Sequence, residues 1–481
     1  MRRVLRARKT LLMLFVLLIP LLLVTAYAVA VHITQRMVDR EIASLRASGE
    51  PIALSELAPA VPPFHENAAD VYQRAFDSFI SPTEAETQAL YGPGPWSADD
   101  LATARRFVEV NATYFRLLDH AARLPDCAFP VDWAAGAAIT CPHYAKMREA
   151  ARALIARTRL LSVEGKHDEA VDSIITMVNI AEHAKAEPTL IGQLVGYAIQ
   201  NIAADAARTA LSGAAPTREA CRRAFDRIGA IDQVGPFVTA MKGERLLGID
   251  VYDGLRTGRY AVQDWIGWLR DGLRDGLGER VIGWYATFGR PLLNLDEVSY
   301  LRAMAQQIDA VSVPSAQAED HLKRAAEAWE QIPTYRAVVS SMMTPGFNRA
   351  VRSRDEKTAL LGALQIALAL KGYRAAHGAY PETLAKLEAD GWDLPVDVFT
   401  GEPYLYRRDG AGFVVWSVGP DKDDDGGRAL DYRALQALSP SQREKAKEDH
   451  DVSFACSEYS PGPPSLYASL SRWSSAAAWS R

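Results

Sequence analysis

The chain has 481 residues, of which 48% are hydrophobic and 23% are charged, the balance of a folded globular protein rather than a disordered one. With 54 Lys and Arg against 59 Asp and Glu, the net charge is −5, which argues against a nucleic-acid partner recognised through a global positive field. Four cysteines are too few for a disulfide scaffold. Composition therefore indicates a class of protein and leaves its activity open.

The N-terminus combines a basic segment, residues 1–10, with a long apolar run. Residues 11–31 are an uncharged stretch of 21 residues rich in Leu and Val. At about 1.5 Å per residue, a helix of this length spans roughly the 30 Å hydrocarbon core of a bilayer. Pro20 lies inside the run, where a membrane helix tolerates it. Five cations among residues 1–9 predict that the N-terminus is cytoplasmic.

A cleaved secretory signal is the alternative interpretation of this run. Ala26, Ala28 and Ala30 offer small residues near its end, as a cleavage site would require. The apolar region of a signal peptide is about 7–15 residues long, so the length favours an uncleaved anchor. Both interpretations place the bulk of the chain outside the cytoplasm.

A location outside the cytoplasm is oxidising, so disulfide bonds between the cysteines have to be considered. Cys127 and Cys141 flank a loop-like stretch that contains Pro130, and their spacing permits a local disulfide. Two unpaired small hydrophobic side chains are the alternative. None of the four cysteines has the C-x-x-C or Cys/His spacing of a redox or zinc site, so we predict neither.

A helical domain is predicted at residues 59–350, because apolar residues recur three and four apart and alanine is abundant. The expected architecture is a helical bundle or an irregular α-solenoid. The clearest helices are expected at residues 144–162, 168–185, 188–211, 217–231 and 235–255. The turn at residues 164–170 resembles the turn of a tetratricopeptide helix pair, although no 34-residue repeat accompanies it.

No catalytic motif is found in the helical domain. His143, His167 and His183 lack ligand spacing, and no H-E-x-x-H, G-x-S-x-G or phosphate-binding loop occurs. We therefore predict a non-enzymatic protein. A Trp- and Gly-rich segment at residues 265–288 is interpreted as buried or groove-lining, with membrane-interface contact as the alternative.

The predicted secondary structure changes near residue 356, from helices alone to a helix followed by strands. One apolar helix is predicted at residues 357–376, followed by strands at 404–407 and 413–417. Asp409-Gly410-Ala411-Gly412 between the strands is typical of a hairpin turn. This order resembles the C-terminal domain of type II secretion major pseudopilins. The matching pieces are Tyr373 and the runs 377–381, 394–404 and 417–421.

The resemblance implies a helix packed on a small antiparallel sheet, with a calcium-binding loop after the last strands. Asp421, Asp423 and Asp425 followed by Gly426 fit the pattern D-x-[DN]-x-[DN]-G independently. Alternating carboxylates can converge on one hard cation, and flexible loop oxygens suit Ca²⁺ better than Mg²⁺. The twelfth position is Tyr432 rather than Glu, so the loop is not an EF-hand. A solvated acidic turn is the alternative.

The predicted fold is therefore mainly α, with a small α+β module near the C-terminus. The expected organisation is a basic segment (residues 1–10), a transmembrane helix (11–31), a linker (32–58), a helical domain (59–350), a pseudopilin-like module (356–432) and a disordered tail (433–481). The expected role is that of a structural or interaction protein, anchored in a bacterial inner membrane by one helix, with its bulk periplasmic and with envelope proteins as partners. An association with type II secretion-like machinery is implied by the resemblance alone. The alternative is an envelope enzyme whose site lies in the helical domain.

Overall fold

The computed structural model describes residues 2–92, 94–260, 289–313, 315–333, 337, 339–343, 345–428, 439 and 450–456. Within these residues the fold is mainly helical with one small sheet, which confirms the predicted class. The helices are α1 Arg2–Ala47, α2 Ala68–Ser78, α3 Glu84–Tyr91, α4 Ala98–Val110, α5 Ala112–Ala121, α6 His143–Val163, α7 His167–Lys185, α8 Leu190–Leu211, α9 Arg218–Gly229, α10 Gly235–Thr257, α11 Arg290–Val311, α12 Glu319–Glu330, α13 Ser340–Met343, α14 Pro345–His377 and α15 Ala385–Ala389. The predicted helices at 144–255 are confirmed to within a few residues.

Helix α1 is one continuous helix with two different halves. Its apolar part is long and apolar enough to cross a membrane, and residues 15–29 are exposed on the surface of the molecule. Beyond residue 30 one face turns inward: Thr34 and Val38 are buried, and Ile42 and Leu45 pack against a hydrophobic cluster of the body. The predicted linker at 32–58 is therefore helical as far as Ala47, because its apolar residues recur at helical spacing.

The main core joins the helical body to the C-terminal module. It contains buried residues of α6, α7, α8 and α9 together with those of α14, of the sheet (such as Phe413) and of the segment between them (Trp392 and Tyr404). Helix α14 begins at Pro345, so the predicted module boundary at residue 356 falls inside a helix. The C-terminal module thus shares a hydrophobic core with the helical body.

The sheet has the order β1-β2-β3 and is antiparallel throughout. Strand β1 is Leu405–Asp409, β2 is Gly412–Ser417 and β3 is Val452–Cys456. Asp409 pairs with Gly412 across the predicted hairpin, and Gly410 supplies a positive φ of 56° in its turn, which only glycine adopts at no steric cost.

Strand β3 corrects the prediction of a disordered tail at 433–481. Phe454 and Cys456 are buried against the helical body, and all five residues of β3 pair with β2. The strand has only five residues and follows a charge-rich stretch, so the composition of this region gave no indication of a strand. Residue 439 and residues 450–456 are the described part of the predicted tail; the rest, like the Trp- and Gly-rich segment at 265–288, lies outside the described residues.

Candidate functional site

The acidic loop after β2 folds back onto the sheet. The Trp416 indole Nε1 donates to Asp424 Oδ1 at 2.9 Å, and Arg407 Nη1 donates to the Gly426 carbonyl at 2.9 Å. The backbone N–H groups of Gly427 and Arg428 donate to Asp451 Oδ2 at 2.7 and 3.2 Å. The loop therefore connects the end of β2 to the residue just before β3.

The three predicted calcium ligands differ in their surroundings. Asp421 is half-buried and accepts the backbone N–H of Asp423 at 3.3 Å, while the Asp423 side chain is exposed. Asp425 Oδ2 is buried and accepts no hydrogen bond from the described residues; the nearest cation, Arg428 Nη2, is 3.8 Å away. A carboxylate oxygen in this state is costly unless a cation lies nearby.

Asp451 faces the same place and was not predicted from the sequence. Its Oδ1 is also buried without a hydrogen-bond partner among the described residues. Burial raises the pKa of Asp451, backbone donors including Gly427 oppose that rise, and the charge of Asp425 adds to it. A cation beside these carboxylates would offset the effect of the Asp425 charge on Asp451.

Asp397 holds the segment that precedes the sheet. Its Oδ1 accepts the Phe399 N–H and the Ser417 hydroxyl, each at 2.9 Å, and its Oδ2 accepts the Val418 N–H at 3.0 Å. The side chain is buried, so these bonds replace its hydration. Asp397 therefore fixes where β2 ends and where the acidic loop begins.

A second cluster lies at the N-terminal end of α6, where the sequence analysis predicted no site. Cys141, His143 and Glu187 each offer one ligand-type atom, and these three atoms lie within 4.8 Å of one another. Among the described residues, this is the one group of three or more Cys, His, Asp and Glu side chains that satisfies this criterion. The predicted ligands Asp421, Asp423 and Asp425 do not form such a group in the structure.

Helix packing brings the cluster together. His143 is the first residue of α6, and Glu187 lies between the end of α7 and Thr189, which caps α8 by accepting the Gly192 N–H at 3.0 Å. Helices α6 and α7 have 21 and 19 residues and are joined by a short turn at Gly165, where φ is 76°. Helices of similar length joined this way return to the level where they began.

The cluster is largely buried and internally ordered. His143 Nε2 lies 2.9 Å from Glu187 Oε1 but lacks the geometry of a hydrogen bond, and no other described residue bonds this nitrogen. The Tyr144 hydroxyl donates to Glu187 Oε2 and lies 3.2 Å from Thr189 Oγ1. The His143 ring stacks on Phe129 with 4.1 Å between ring centroids.

The two thiols of this region are unbridged, and their surroundings favour the neutral form. Burial, with the Glu187 carboxylate as the next cause, raises the pKa of Cys141 to about 12, and the same two causes raise the pKa of the buried Cys127 thiol. Cys127 and Cys141 are unbridged, so the disulfide that their spacing permits is not formed in the structure. A neutral buried thiol is a poor nucleophile, which argues against covalent catalysis by Cys141.

His167 and His183, the other two histidines considered in the sequence analysis, belong to no such cluster of ligand-type side chains among the described residues. His183 is buried, with Tyr72 Oη 2.8 Å from Nδ1 and the Leu124 carbonyl 3.0 Å from Nε2, which is a structural arrangement. A signal for the cluster existed in the sequence: two predicted helices of nearly equal length, 144–162 and 168–185, joined by a short turn, place residues 141–144 beside residues 186–189.

No family model matches the chain, and neither a curated protein nor a solved structure matches it.

Proposed function

We propose that the chain is a membrane-anchored structural or interaction protein of a bacterial envelope, with its body outside the cytoplasm. The observation that supports this best is helix α1, whose exposed apolar part continues without a break into a half that packs on the body. An exposed run of Phe, Leu and Val side chains (residues 15–24) is unfavourable in water and favourable in a bilayer. The cations that precede it favour a cytoplasmic N-terminus.

The attachment of α1 positions the body close to the membrane. Asn294 Nδ2 donates to Thr34 Oγ1 at 3.1 Å, and Arg302 Nη2 lies 2.6 Å from Glu41 Oε1. Both contacts join α1 to α11. The Arg302 side chain is 62% exposed, so this ion pair contributes at most about 1 kcal/mol. The buried Val38 and its apolar neighbours therefore supply most of the attachment.

The second part of the proposal is a calcium ion bound by the acidic loop. Asp421, Asp423 and Asp425 are its predicted ligands, and the buried oxygens of Asp425 and Asp451 support a cation at this place because neither accepts a hydrogen bond from the described residues. Ca²⁺ takes six to eight oxygen ligands in adaptable geometry, so binding would draw in the exposed Asp423. Its role would be to join the loop to the start of β3.

Calorimetry with Ca²⁺ on the full chain in detergent tests the ion. We expect uptake that is lost in the double variant Asp423→Ala plus Asp425→Ala and weakened in Asp451→Asn, because each change removes charge from the site. Asp409→Ala, at the hairpin tip, is the matched control and should bind as the wild type does. Uptake that survives the double variant would remove the proposed site.

Association with type II secretion-like machinery rests on the resemblance of residues 357–432. Crosslinking in intact cells, followed by capture of the anchored protein with and without calcium chelation, tests it by mass spectrometry. We expect envelope or secretion components to be recovered, with fewer after chelation. Recovery of neither class in either condition would contradict the interaction role.

A further inference from the structure

Cys141, His143 and Glu187 form a donor set that the proposed scaffold role does not use. Their sulfur, nitrogen and oxygen atoms come from two segments of the fold: the start of α6, which carries Cys141 and His143, and the connection between α7 and α8, which carries Glu187. The side chains of His143 and Glu187 are 7% and 2% exposed. Placing a carboxylate and an imidazole in such surroundings has a free-energy cost that requires a partner.

The imidazole Nε2 of His143 gives the clearest sign of a missing ligand, because no described residue forms a hydrogen bond with it. This nitrogen is buried and 2.9 Å from a Glu187 oxygen, yet the two atoms are not aligned for a hydrogen bond. Two ligands of one tetrahedral ion approach each other in this way, because both lone pairs point to the ion rather than to one another. The ring is held by its stacking on Phe129.

The surroundings also orient Glu187 as a ligand. Tyr144 donates to one carboxylate oxygen, which leaves the other free to face His143. Thr189 lies beside the same hydroxyl at 3.2 Å, so the tyrosine is itself held. Hydrogen bonds that fix a ligating side chain in this way are a regular feature of metal sites.

We propose that Cys141, His143 and Glu187 bind a Zn²⁺-class transition-metal ion, which displaces the proton of the Cys141 thiol into solvent as it binds. Thiolate and imidazole ligands select zinc and its neighbours, whereas Ca²⁺ and Mg²⁺ take oxygen ligands. With three ligands from the protein, a tetrahedral ion keeps its fourth position for water or another small ligand. The site is separate from the acidic loop and independent of the calcium proposal.

Titration of the full-length protein with Co²⁺ tests the proposal directly. The protein is purified in detergent, its free thiols are counted, and bound metal is removed. We expect one Co²⁺ per chain, a thiolate-to-cobalt charge-transfer band in the near ultraviolet, ligand-field bands of a tetrahedral ion, and displacement of Co²⁺ by Zn²⁺. A thiol count that shows Cys141 joined to Cys127, or the absence of Co²⁺ uptake, would overturn the proposal.

Matched variants assign the ligands. Cys141→Ser should lose the charge-transfer band, and His143→Ala and Glu187→Gln should weaken Zn²⁺ binding by more than about 100-fold, since loss of even an outer hydrogen bond costs about 10–100-fold. Tyr144→Phe, which removes only an outer hydrogen bond to Glu187, should weaken Zn²⁺ binding by about 10–100-fold. Cys221→Ser, a buried cysteine on α9, and His120→Ala, at the end of α5, are the controls.

Circular dichroism on every variant separates metal loss from unfolding. Glu187→Gln retains the shape of the carboxylate and an acceptor for Tyr144, so it is the variant most certain to fold. Uptake in Glu187→Gln and in Cys141→Ser equal to that of the wild type, with all proteins folded, would overturn the assignment.

Discussion

Single buried polar side chains determine the local structure near the C-terminus. Asp397 accepts three hydrogen bonds, two of them from the end of β2 and the residue after it. Hydrogen bonds to a charged group contribute about 1.5–3 kcal/mol each, although their contributions are not additive. The resemblance to pseudopilins included this residue in its matching run, but only the structure shows what its carboxylate holds.

We expect Asp397→Ala to lower the free energy of unfolding by about 3 kcal/mol, because three donors lose their acceptor and two of them lie in a buried region. Denaturant unfolding of the full chain in detergent measures this. The exposed Asp409→Ala should change stability by less than about 0.5 kcal/mol. Equal effects of the two substitutions would show that Asp397 does not hold the strand.

A buried histidine makes stability depend on pH. Burial, followed by the charge of Arg227, lowers the pKa of His183 to about 4, although the Leu124 carbonyl and Asp126 oppose this. The unfolded chain binds a proton near pH 6.5, whereas the folded protein does not until about pH 4. Stability is therefore fully present above pH 6.5 and falls as the pH decreases toward 4.

We expect the wild type to lose about 2 kcal/mol of stability from this residue between pH 7.5 and pH 5. In His183→Gln this part of the loss should disappear, whatever the absolute stability of the variant. His120→Gln, at the more exposed end of α5, should keep the wild-type slope. Unfolding curves at several pH values measure the slope, and an unchanged slope in His183→Gln would contradict the assignment.

The helices were predictable because their signal is local. Apolar spacing placed α6 to α10 within a few residues of their observed ends, and the hairpin of β1 and β2 followed from its Gly-containing turn. Strand β3 was missed because five residues after a charged stretch have little periodicity; pairing with β2 and packing on the helical body stabilise them. The cluster of Cys141, His143 and Glu187 was missed because its spacing arises from packing.

Helix α1 shows what the same reasoning overlooked. Thr34, Val38, Ile42 and Leu45 follow helical spacing across the segment assigned as a linker. Their inward face is narrow, since charged and polar residues, among them Arg36, Asp39 and Arg40, occupy much of the rest of each turn. A pattern of this kind indicates an amphipathic helix with a protein partner, and here the partner is α11.

We expect Val38→Asp to detach this half of α1 from the body, because a buried unpaired charge costs several kcal/mol. Hydrogen exchange should show protection of amides 32–47 reduced at least about tenfold. Ser44→Asp, on the exposed face of the same helix, is the matched control and should leave protection unchanged. Equal protection in the wild type and Val38→Asp would mean that α1 is not held by its apolar face.

For the molecule as a whole, the shared core has a functional consequence. Helix α14 and the sheet pack on α6 to α9, and the helical body is attached to α1. A conformational change at the acidic loop would therefore act on elements that are packed together as far as α1. The mainly helical class and an N-terminal helix long and apolar enough to cross a membrane were predictable from the sequence. The way these parts pack was not, since it depends on contacts between residues distant in the chain.

The central claim is that α1 anchors a body lying outside the cytoplasm, and protease protection tests it most directly. Spheroplasts of cells that make the full chain are treated with protease, and membranes are then washed with carbonate. We predict a chain of full length that resists carbonate extraction and whose body is digested from outside, while a cytoplasmic marker stays intact. A body digested only after lysis, or a shortened chain released as a soluble protein, would contradict the account.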